Sequence, residues 1–443
     1  MNGKNSISRS VAEHYNGIKE IGLQKRTETR IYYLRNFNNW IKSCLISHTV
    51  KSFQPKQDNK ERFESSTKDC LKRKSEPELG EQAEPAKKGA WASQSSSDHS
   101  NGSQNLTVLD LCCGKGGDLL KWSSCDISVR LLVGVDIAAV SIDQCRERWG
   151  RNRKSQNLEA KFFTLDCTKE LCSSLENFPT DENFDISSCQ FSIHYGFESE
   201  TQAKTIMRNA CEKVRVGGYF IGTTLNNREL IRRLKIAQRK DPNACSFGNE
   251  VYQISFDDSK SFPAYGCKYH FQLDGVVNCP EFLCDIDLLS KLAAEFGFQL
   301  EETFSFREAF ENFKNAPRCK NLLSIINALE PYTPRSWNLS SKNPNDYDHA
   351  QTYFDECLRK KKESRSHERF SIGTISKSEW EAISVYNCFI FKRVSQQAIQ
   401  FDFEYDEAKI VKVIEAELDD VSQLQPPLVD DYYPRKLNYA HRK

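Results

Sequence analysis

The sequence lacks the features that mark several common protein classes. None of its 17 cysteines is arranged as C-x-x-C and the eight histidines add no ligand spacing, so we expect no metal site. No run of about 18 apolar residues is present, and the opening MNGKNSISRS has no apolar segment, so we expect neither a membrane span nor a secretory signal. Free cysteines then fit a reducing compartment, the cytosol or the nucleus. The net charge of +1 excludes a strongly basic or acidic chain, so any nucleic-acid site must be local.

Composition divides the chain into segments of different character. We expect N-terminal helices that contribute to the site at residues 1–52 and a disordered, charged and Ser-rich insert at residues 53–106. A catalytic domain should follow at residues 107–395, and a loose C-terminal tail at residues 396–443. The insert is too poor in large apolar residues to offset the chain entropy lost on ordering. Its basic cluster at residues 72–74 is either a nuclear import signal or ordinary solvated charge.

Strand-like and helix-like patterns alternate from residue 107 to about 225. We predict five strands there and a further strand late in the chain, at residues 107–111, 129–137, 161–166, 184–191, 217–224 and 386–394. This alternation predicts an α/β fold with a doubly wound, mostly parallel sheet. The run at residues 280–298 is typical of a helix, and residues 318–375 look less regular.

Polar residues follow neighbouring predicted strands, where ligands of such sheets bind. Asp110 opens the glycine-rich turn CCGKGG, which lacks the G-x-x-x-x-G-K-[ST] pattern of a P-loop, and an acid there would repel a pyrophosphate. A cationic cofactor without phosphate, S-adenosylmethionine, fits better. Asp136 is spaced to bind ribose hydroxyls, Asp166 to accept from adenine, and Gln190 to lie beside the methionine part. These residues favour a class I methyltransferase over an α/β domain with incidental acids.

Several longer stretches resemble the eukaryotic mRNA cap guanine-N7 methyltransferases, in that family's order. They are RNFNNWIK, VLDLCCGKGGDLLKW, SSCQFSIHYGFES, RNACEKVRVGGYFIGTT, SFGNEVY, GVVNCPEFL and SKSEWEAISVY. The resemblance implies a class I Rossmann-like fold with a seven-stranded sheet and added helical and lid elements. It implies S-adenosylmethionine as cofactor, 5′-capped mRNA as substrate and action in the nucleus. A small activating subunit and the transcription and capping machinery are possible partners.

The resemblance also implies roles for individual residues. Those that would bind S-adenosylmethionine are Lys42, Cys112, Asp136, Asp166, Gln190 and Tyr195. Those that would bind the RNA cap are Asn38, Asn39, Lys115, Lys121, Arg148, His194, Glu281 and Tyr386. Glu281 would accept from the N1–H and the amino group of guanine, with His194 in support. Guanine N7 already carries a free lone pair, so we expect no general acid or base, only proximity and orientation.

One position departs from the family. Cysteine stands at residue 112, where the family has glycine. If the backbone there needs a positive φ, cysteine costs about 1–2 kcal/mol, and we expect weakened cofactor binding rather than its loss. Two alternatives to an active cap methyltransferase therefore remain. They are a methyltransferase for another purine and a non-catalytic RNA-binding paralogue.

Overall fold

The computed structural model describes residues 7–17, 23–54, 105–152, 158–334, 336, 338–363, 370–418 and 425–434. Most of the predicted insert therefore lies outside the described residues, including its basic cluster. The N-terminal part is helical, as the spacing of its apolar residues indicates. Its helices are α1 (Ile7–Gly17), α2 (Leu23–Arg26) and α3 (Tyr32–Lys51). Helix α3 buries Phe37, Trp40 and Ile41 on the face that packs against the rest of the chain.

The strands form one large sheet and two smaller ones. In chain order they are β1 (Leu106–Leu111), β2 (Val129–Asp136), β3 (Glu159–Thr164), β4 (Phe184–Gln190), β5 (Val214–Leu225), β6 (Ser246–Gly248), β7 (Tyr252–Phe256), β8 (Lys268–Leu273), β9 (Val277–Phe282), β10 (Phe298–Ser305), β11 (Glu330–Tyr332), β12 (Ile372–Thr374) and β13 (Tyr386–Arg393). The large sheet has the order β3-β2-β1-β4-β5-β13-β10. Only β13 runs antiparallel to its neighbours, so the predicted seven-stranded, mostly parallel sheet is confirmed.

The central strands are buried on both faces. Every residue of β1 and of β4 is buried, which is why these strands read as nearly continuous apolar runs in the sequence. The remaining helices are α4 (Leu119–Ser123), α5 (Ala139–Asn152), α6 (Glu200–Cys211), α7 (Asn227–Lys240), α8 (Ile286–Ala294), α9 (Phe306–Phe313), α10 (Pro317–Ile325), α11 (Asp348–Glu363), α12 (Lys377–Ile383) and α13 (Glu407–Ala416). None of the helices in the described residues is both long and apolar enough to cross a membrane.

A four-stranded antiparallel sheet, in the order β6-β7-β8-β9, follows the fifth strand of the large sheet. Its last strand corrects the predicted helix at residues 280–298. Residues Pro280 and Glu281 pair with His270 and Tyr269 of β8, so they belong to a strand. The helix begins only at Ile286, because the Asp285 side chain accepts from two backbone N–H groups of its first turn.

The chain end is packed rather than loose in its described residues. Helix α13 buries Ile414 against the core, and Val429 pairs with Gly373 beside β12. The Tyr432 hydroxyl donates to the carbonyl of Leu323 at 3.0 Å. The predicted loose tail is therefore wrong for residues 396–418 and 425–434. Single apolar side chains of this polar segment are buried against the core, and such isolated positions leave no clear periodic pattern in the sequence.

An ion-pair cluster joins the N-terminal helices to this region. Arg30, just before α3, lies 3.1 Å from the buried Glu379 carboxylate and 3.3 Å from Asp346. Burial raises the pKa of Glu379 to about 7, and the nearby Arg30 opposes that rise.

Candidate active site

The turn after β1 places several residues in the left-handed backbone region. Cys112 has a φ of +55°, and Gly114 and Gly116 have φ values of +52° and +71°. Phe191, directly after β4, has a φ of +59°. The neighbouring strands β1 and β4 therefore both end in a strained residue that is not glycine, at the edge of the sheet where parallel α/β folds bind ligands.

Asp136 ends β2 beside this turn. Its carboxylate accepts from the backbone N–H groups of Gly114 and Ala138, both at 2.8 Å. Burial raises the pKa of Asp136 to about 7, and the Cys112 sulfur adds to the rise. A buried carboxylate that already orders the turn and still requires donors fits a ribose with two hydroxyl groups.

A small cavity of about 40 Å³ lies beside the turn. Cys112, Asp166 and Tyr195 line it on the sheet side, as predicted for cofactor residues, and Thr168 donates to Asp166 at 2.6 Å. Side chains of α1 close it from above.

Gln190 does not reach this cavity with its side chain. Its amide donates to the Ser188 hydroxyl at 3.1 Å and accepts from the Thr223 hydroxyl at 3.2 Å. Ser188 lies on the same strand and Thr223 on the neighbouring β5, so both amide atoms of Gln190 already have partners within the sheet. The predicted place of Gln190 beside the methionine part stays a prediction.

A second cavity of about 220 Å³ lies between α3, β9 and the start of β13. Six predicted residues line it, and they come from four separate parts of the chain: Asn38, Asn39, Lys42, His194, Glu281 and Tyr386. Phe191 and Phe271 add aromatic walls that the sequence did not single out. Lys42, predicted to bind the cofactor, is thus part of the cavity that holds most of the predicted cap residues.

Glu281 is the most constrained acid of this cavity, with only 2% of its surface exposed. The Tyr195 hydroxyl donates to one carboxylate oxygen at 3.3 Å, and the Tyr269 hydroxyl donates to the other at 3.1 Å. The His194 Nε2 atom lies 3.5 Å from the second oxygen. Because Tyr195 also lines the small cavity, it connects the two cavities.

The sequence profile of the mRNA (guanine-N(7))-methyltransferase domain matches residues 1–64 and 89–394. This chain belongs to that family. It is 36% identical to the mRNA cap guanine-N(7) methyltransferase of Drosophila melanogaster over 86% of this chain and 76% of the relative. The Caenorhabditis elegans relative of the same name is 33% identical over 94% of both chains. Among solved structures, the CcbJ methyltransferase of Streptomyces caelestis is 12% identical, covers 66% of this chain and 85% of its own, and has a TM-score of 0.35.

The family uses S-adenosylmethionine. The two cavities lie side by side, and Tyr195, which lines the small one, donates to Glu281 in the larger one. The buried Asp136 at the end of β2 and the partly buried Asp166 just after β3 could accept from the hydroxyl and amino donors of an adenosyl group. Within the described residues, no three His, Cys, Asp or Glu side chains are grouped to hold a metal ion.

Two lysines share one acid beside the larger cavity of this methyltransferase. The Asp118 carboxylate lies 2.8 Å from the Lys42 ammonium and 2.6 Å from that of Lys121. Burial opposes ionisation of Asp118, but the charges of Lys121 and Lys42 lower its pKa well below the ordinary value. Lys121 also donates to Asn39 at 3.1 Å, so the cluster holds a net positive charge against the cavity wall. Asp118 was not predicted as a site residue, although an acid directly after a glycine-rich turn is a signal of such a role.

Two predicted phosphate-binding cations are placed less directly. Lys115 lies in the glycine-rich turn and Arg148 on α5, and both are partly buried. Neither is among the described residues that form the walls of the two cavities.

Helix α1 covers both cavities with one stripe of side chains. Ile7 and Val11 line the small cavity, and Tyr15 lines the larger one. These positions are four residues apart, so they share one helix face. The Tyr15 and Tyr195 hydroxyls are 3.1 Å apart. The helical spacing of Val11 and Tyr15 was visible in the sequence. Spacing does not indicate which surface a helix packs against, so the position of α1 over the two cavities was not predicted.

Proposed function

We propose that this chain transfers the methyl group of S-adenosylmethionine to N7 of the cap guanine of mRNA, with the guanine in the 220 Å³ cavity. The observation that carries the proposal is the buried Glu281 carboxylate in that cavity, within hydrogen-bonding distance of two tyrosine hydroxyls. Asp166, which lines the small cavity with Tyr195, and Asp136, which holds the adjoining glycine-rich turn, would bind the adenosyl part.

Glu281 would select guanine by the hydrogen bonds it can accept. The N1–H and the amino group of guanine are donors on one edge, whereas adenine has no donor at N1 and no amino group at C2. Adenine would leave the remaining lone pairs of this buried carboxylate without donors and would place its N1 acceptor against the negative charge, so we expect an adenine cap to be rejected. Phe191 and Tyr386 supply aromatic surfaces on which a purine stacks.

The positive residues would hold the charged parts of the two ligands. Arg35 and Lys42 line the larger cavity. Lys121 donates a hydrogen bond to Asn39, which is also part of the cavity wall. Their charges suit the triphosphate bridge of the cap. Lys42 can also pair with the carboxylate of the methionine part, since its partner Asp118 lies beside the glycine-rich turn. Lys115 and Arg148 would add further positive charge along the RNA.

The chain's own contribution to the reaction is orientation, and no general base is required. Bound S-adenosylmethionine supplies a methyl group already activated by the sulfonium. Guanine N7 offers its lone pair without losing a proton. Glu281 would hold the base in one orientation and stabilise the positive charge that the ring gains. The contact between Tyr15 and Tyr195 would help to exclude water from the reacting atoms once both ligands are bound.

We further propose that the chain acts in the nucleus on nascent transcripts, as part of the capping machinery and with a small activating subunit. Support for this comes from the family alone. Its competitors are the methylation of another purine and a non-catalytic RNA-binding paralogue, for which the strained Cys112 is the one favouring observation.

The test is a methyl-transfer assay with labelled S-adenosylmethionine, comparing RNA capped with GpppG, RNA capped with ApppG, and free GTP. Nuclease digestion of the product should release N7-methylguanosine from the GpppG-capped RNA only. Glu281→Gln should lower kcat/KM for capped RNA by roughly 10- to 100-fold, because a charged hydrogen bond contributes about 1.5–3 kcal/mol. The matched control is Glu295→Gln, at an exposed acid on the end of α8.

Methylation of free GTP or of the ApppG cap as fast as the GpppG cap would refute guanine-cap specificity. Binding of S-adenosylmethionine without any turnover would favour the non-catalytic paralogue. An unchanged kcat/KM in Glu281→Gln would refute the role of that carboxylate.

A further inference from the structure

Two thiols meet at the wall of the small cavity. The Cys112 and Cys167 sulfurs are 3.6 Å apart, and both residues line the cavity together with Asp166. They are 55 positions apart, one after β1 and the other after β3, so the tertiary fold brings them together. Proposed cofactor binding uses neither thiol as a hydrogen-bonding group, and glycine would serve the turn at residue 112 with less strain.

We propose that Cys112 and Cys167 form a reversible disulfide under a peroxide oxidant, and that this disulfide closes the cofactor cavity. The inference rests on the proposed placement of S-adenosylmethionine in that cavity. The pair would make methyl transfer responsive to oxidants through a bond formed inside the cofactor site.

The chemistry balances with hydrogen peroxide as the oxidant. The Cys112 thiolate attacks one peroxide oxygen, the O–O bond breaks, and the products are a sulfenic acid and, after protonation, water. The Cys167 sulfur then displaces the hydroxyl of the sulfenic acid, forming the S–S bond and a second water. Two thiols lose two electrons and two protons, and one peroxide gains them.

The environments of the two sulfurs suit this order of attack. Cys112 is partly exposed at the cavity wall, whereas Cys167 is buried, with 4% of its surface exposed. Hydrogen bonds from the thiols of Cys167 and Cys189 lower the pKa of Cys112, which suits the more exposed thiol for the first attack. The hydrogen bond to Cys112 and burial raise the pKa of Cys167, which suits the second, resolving thiol.

Disulfide formation would deform the cofactor site. A disulfide requires a sulfur separation of about 2.05 Å, so the two thiols must approach by about 1.5 Å. Cys112 belongs to the turn that Asp136 orders through Gly114, and Cys167 follows Asp166 directly. The approach therefore shifts both walls of a cavity of only about 40 Å³. We expect the oxidised protein to bind the cofactor about tenfold more weakly, the effect of losing one or two hydrogen bonds of about 1 kcal/mol each.

The experiment oxidises the reduced, full-length protein with hydrogen peroxide and measures two independent quantities. After alkylation of free thiols, peptide mapping by mass spectrometry should find a peptide that links Cys112 to Cys167. Titration calorimetry with S-adenosylhomocysteine should show the expected loss of affinity, and dithiothreitol should restore it. S-adenosylhomocysteine present during oxidation should slow formation of the link.

Variants separate this pair from the other thiols. Cys167→Ser should abolish both the link and the reversible loss of affinity, and should leave a sulfenic acid at Cys112 that dimedone traps. Cys245→Ser, at an exposed cysteine of the loop after α7, should behave as the parent protein does. A link from Cys112 to Cys189, or a Cys112–Cys167 link that leaves affinity unchanged, would overturn the inference.

The outcome is distinguishable from failure of the proposed function. A reduced protein that binds S-adenosylhomocysteine and forms the link, yet does not methylate capped RNA, refutes the proposed reaction and leaves the thiol pair standing. A reduced protein that does not bind S-adenosylhomocysteine at all overturns the inference.

Discussion

Cofactor binding should depend on pH through Asp136. Burial raises the pKa of this carboxyl from its ordinary value of 3.8 to about 7. That difference of about 3 pKa units corresponds to about 4 kcal/mol against ionisation in the free protein. Ribose hydroxyls donate to a carboxylate better than to a protonated acid. The cofactor should therefore bind the ionised form, and binding should lower the pKa.

The sign follows from the titration of the free protein. At pH 6 about one tenth of Asp136 is ionised, and at pH 8 about nine tenths, so affinity for S-adenosylhomocysteine should rise about tenfold between these values and level off above pH 8. The effect on folding has the opposite sign. The folded pKa lies above the unfolded one, so this group's favourable contribution is fully present below about pH 4 and is lost as the pH rises through 7.

Titration calorimetry from pH 6 to 9 measures the effect. Asp136→Asn should bind more weakly at pH 8 and show no rise between pH 6 and 8. Asp181→Asn, at an exposed acid before β4, should keep the parent's pH dependence. Parent affinity that is flat, or that falls as the pH rises, would refute the assignment of Asp136 to the ribose.

Three further substitutions test other parts of the site. Cys112→Gly should lower the cofactor KM severalfold, because it removes a side chain from the small cavity. The melting temperature should change little, because the relief of about 1–2 kcal/mol of backbone strain is offset by the greater conformational freedom of glycine in the unfolded chain. Tyr15→Phe should raise KM for capped RNA about fivefold, the effect of losing one hydrogen bond of about 1 kcal/mol to Tyr195. Arg30→Ala should lower the free energy of unfolding, measured in urea at pH 8, by about 3 kcal/mol, because it leaves the Glu379 carboxylate buried without its partner. At pH 6 the loss should be smaller, because Glu379 is then largely protonated.

Each of these has a result that contradicts it. An unchanged cofactor KM in Cys112→Gly would show that the thiol does not crowd the cavity. Tyr15→Phe kinetics equal to the parent's would separate α1 from substrate binding. For Arg30, the comparison is Lys204→Ala, which breaks an exposed pair with Glu200 and should leave the free energy of unfolding almost unchanged.

The positions of the strand ends could be predicted from the sequence, because β1 and β4 are buried on both faces and leave a clear apolar pattern. The orientation of side chains at those ends could not. Gln190 ends its strand as expected, yet Ser188 and Thr223 hold its amide inside the sheet. Thr223 lies on the neighbouring strand β5, and no local pattern in the sequence encodes such a partner.

The larger cavity likewise combines features that the sequence predicts with features that only the fold determines. Asn38 and Glu281 are 243 positions apart in the printed sequence, and only the family resemblance connected them before the structure did. Glu281 lies on a strand, although the segment around it is apolar enough for a helix. A short apolar run does not distinguish a strand from a buried helix. Pairing with β8 makes this segment a strand.

The stripe of α1 over the two cavities has a consequence for the catalytic cycle. Volumes of about 40 and 220 Å³ are below the 300 Å³ or more that small-molecule sites usually offer. Ile7, Val11 and Tyr15 occupy space beside the two cavities that a nucleoside-sized ligand would need, so we expect α1 to move when such a ligand binds. Because one helix carries all three side chains, we expect the proposed donor and acceptor sites to widen together. Release of both products would then depend on one movement of α1, which is a candidate for the slowest step of turnover.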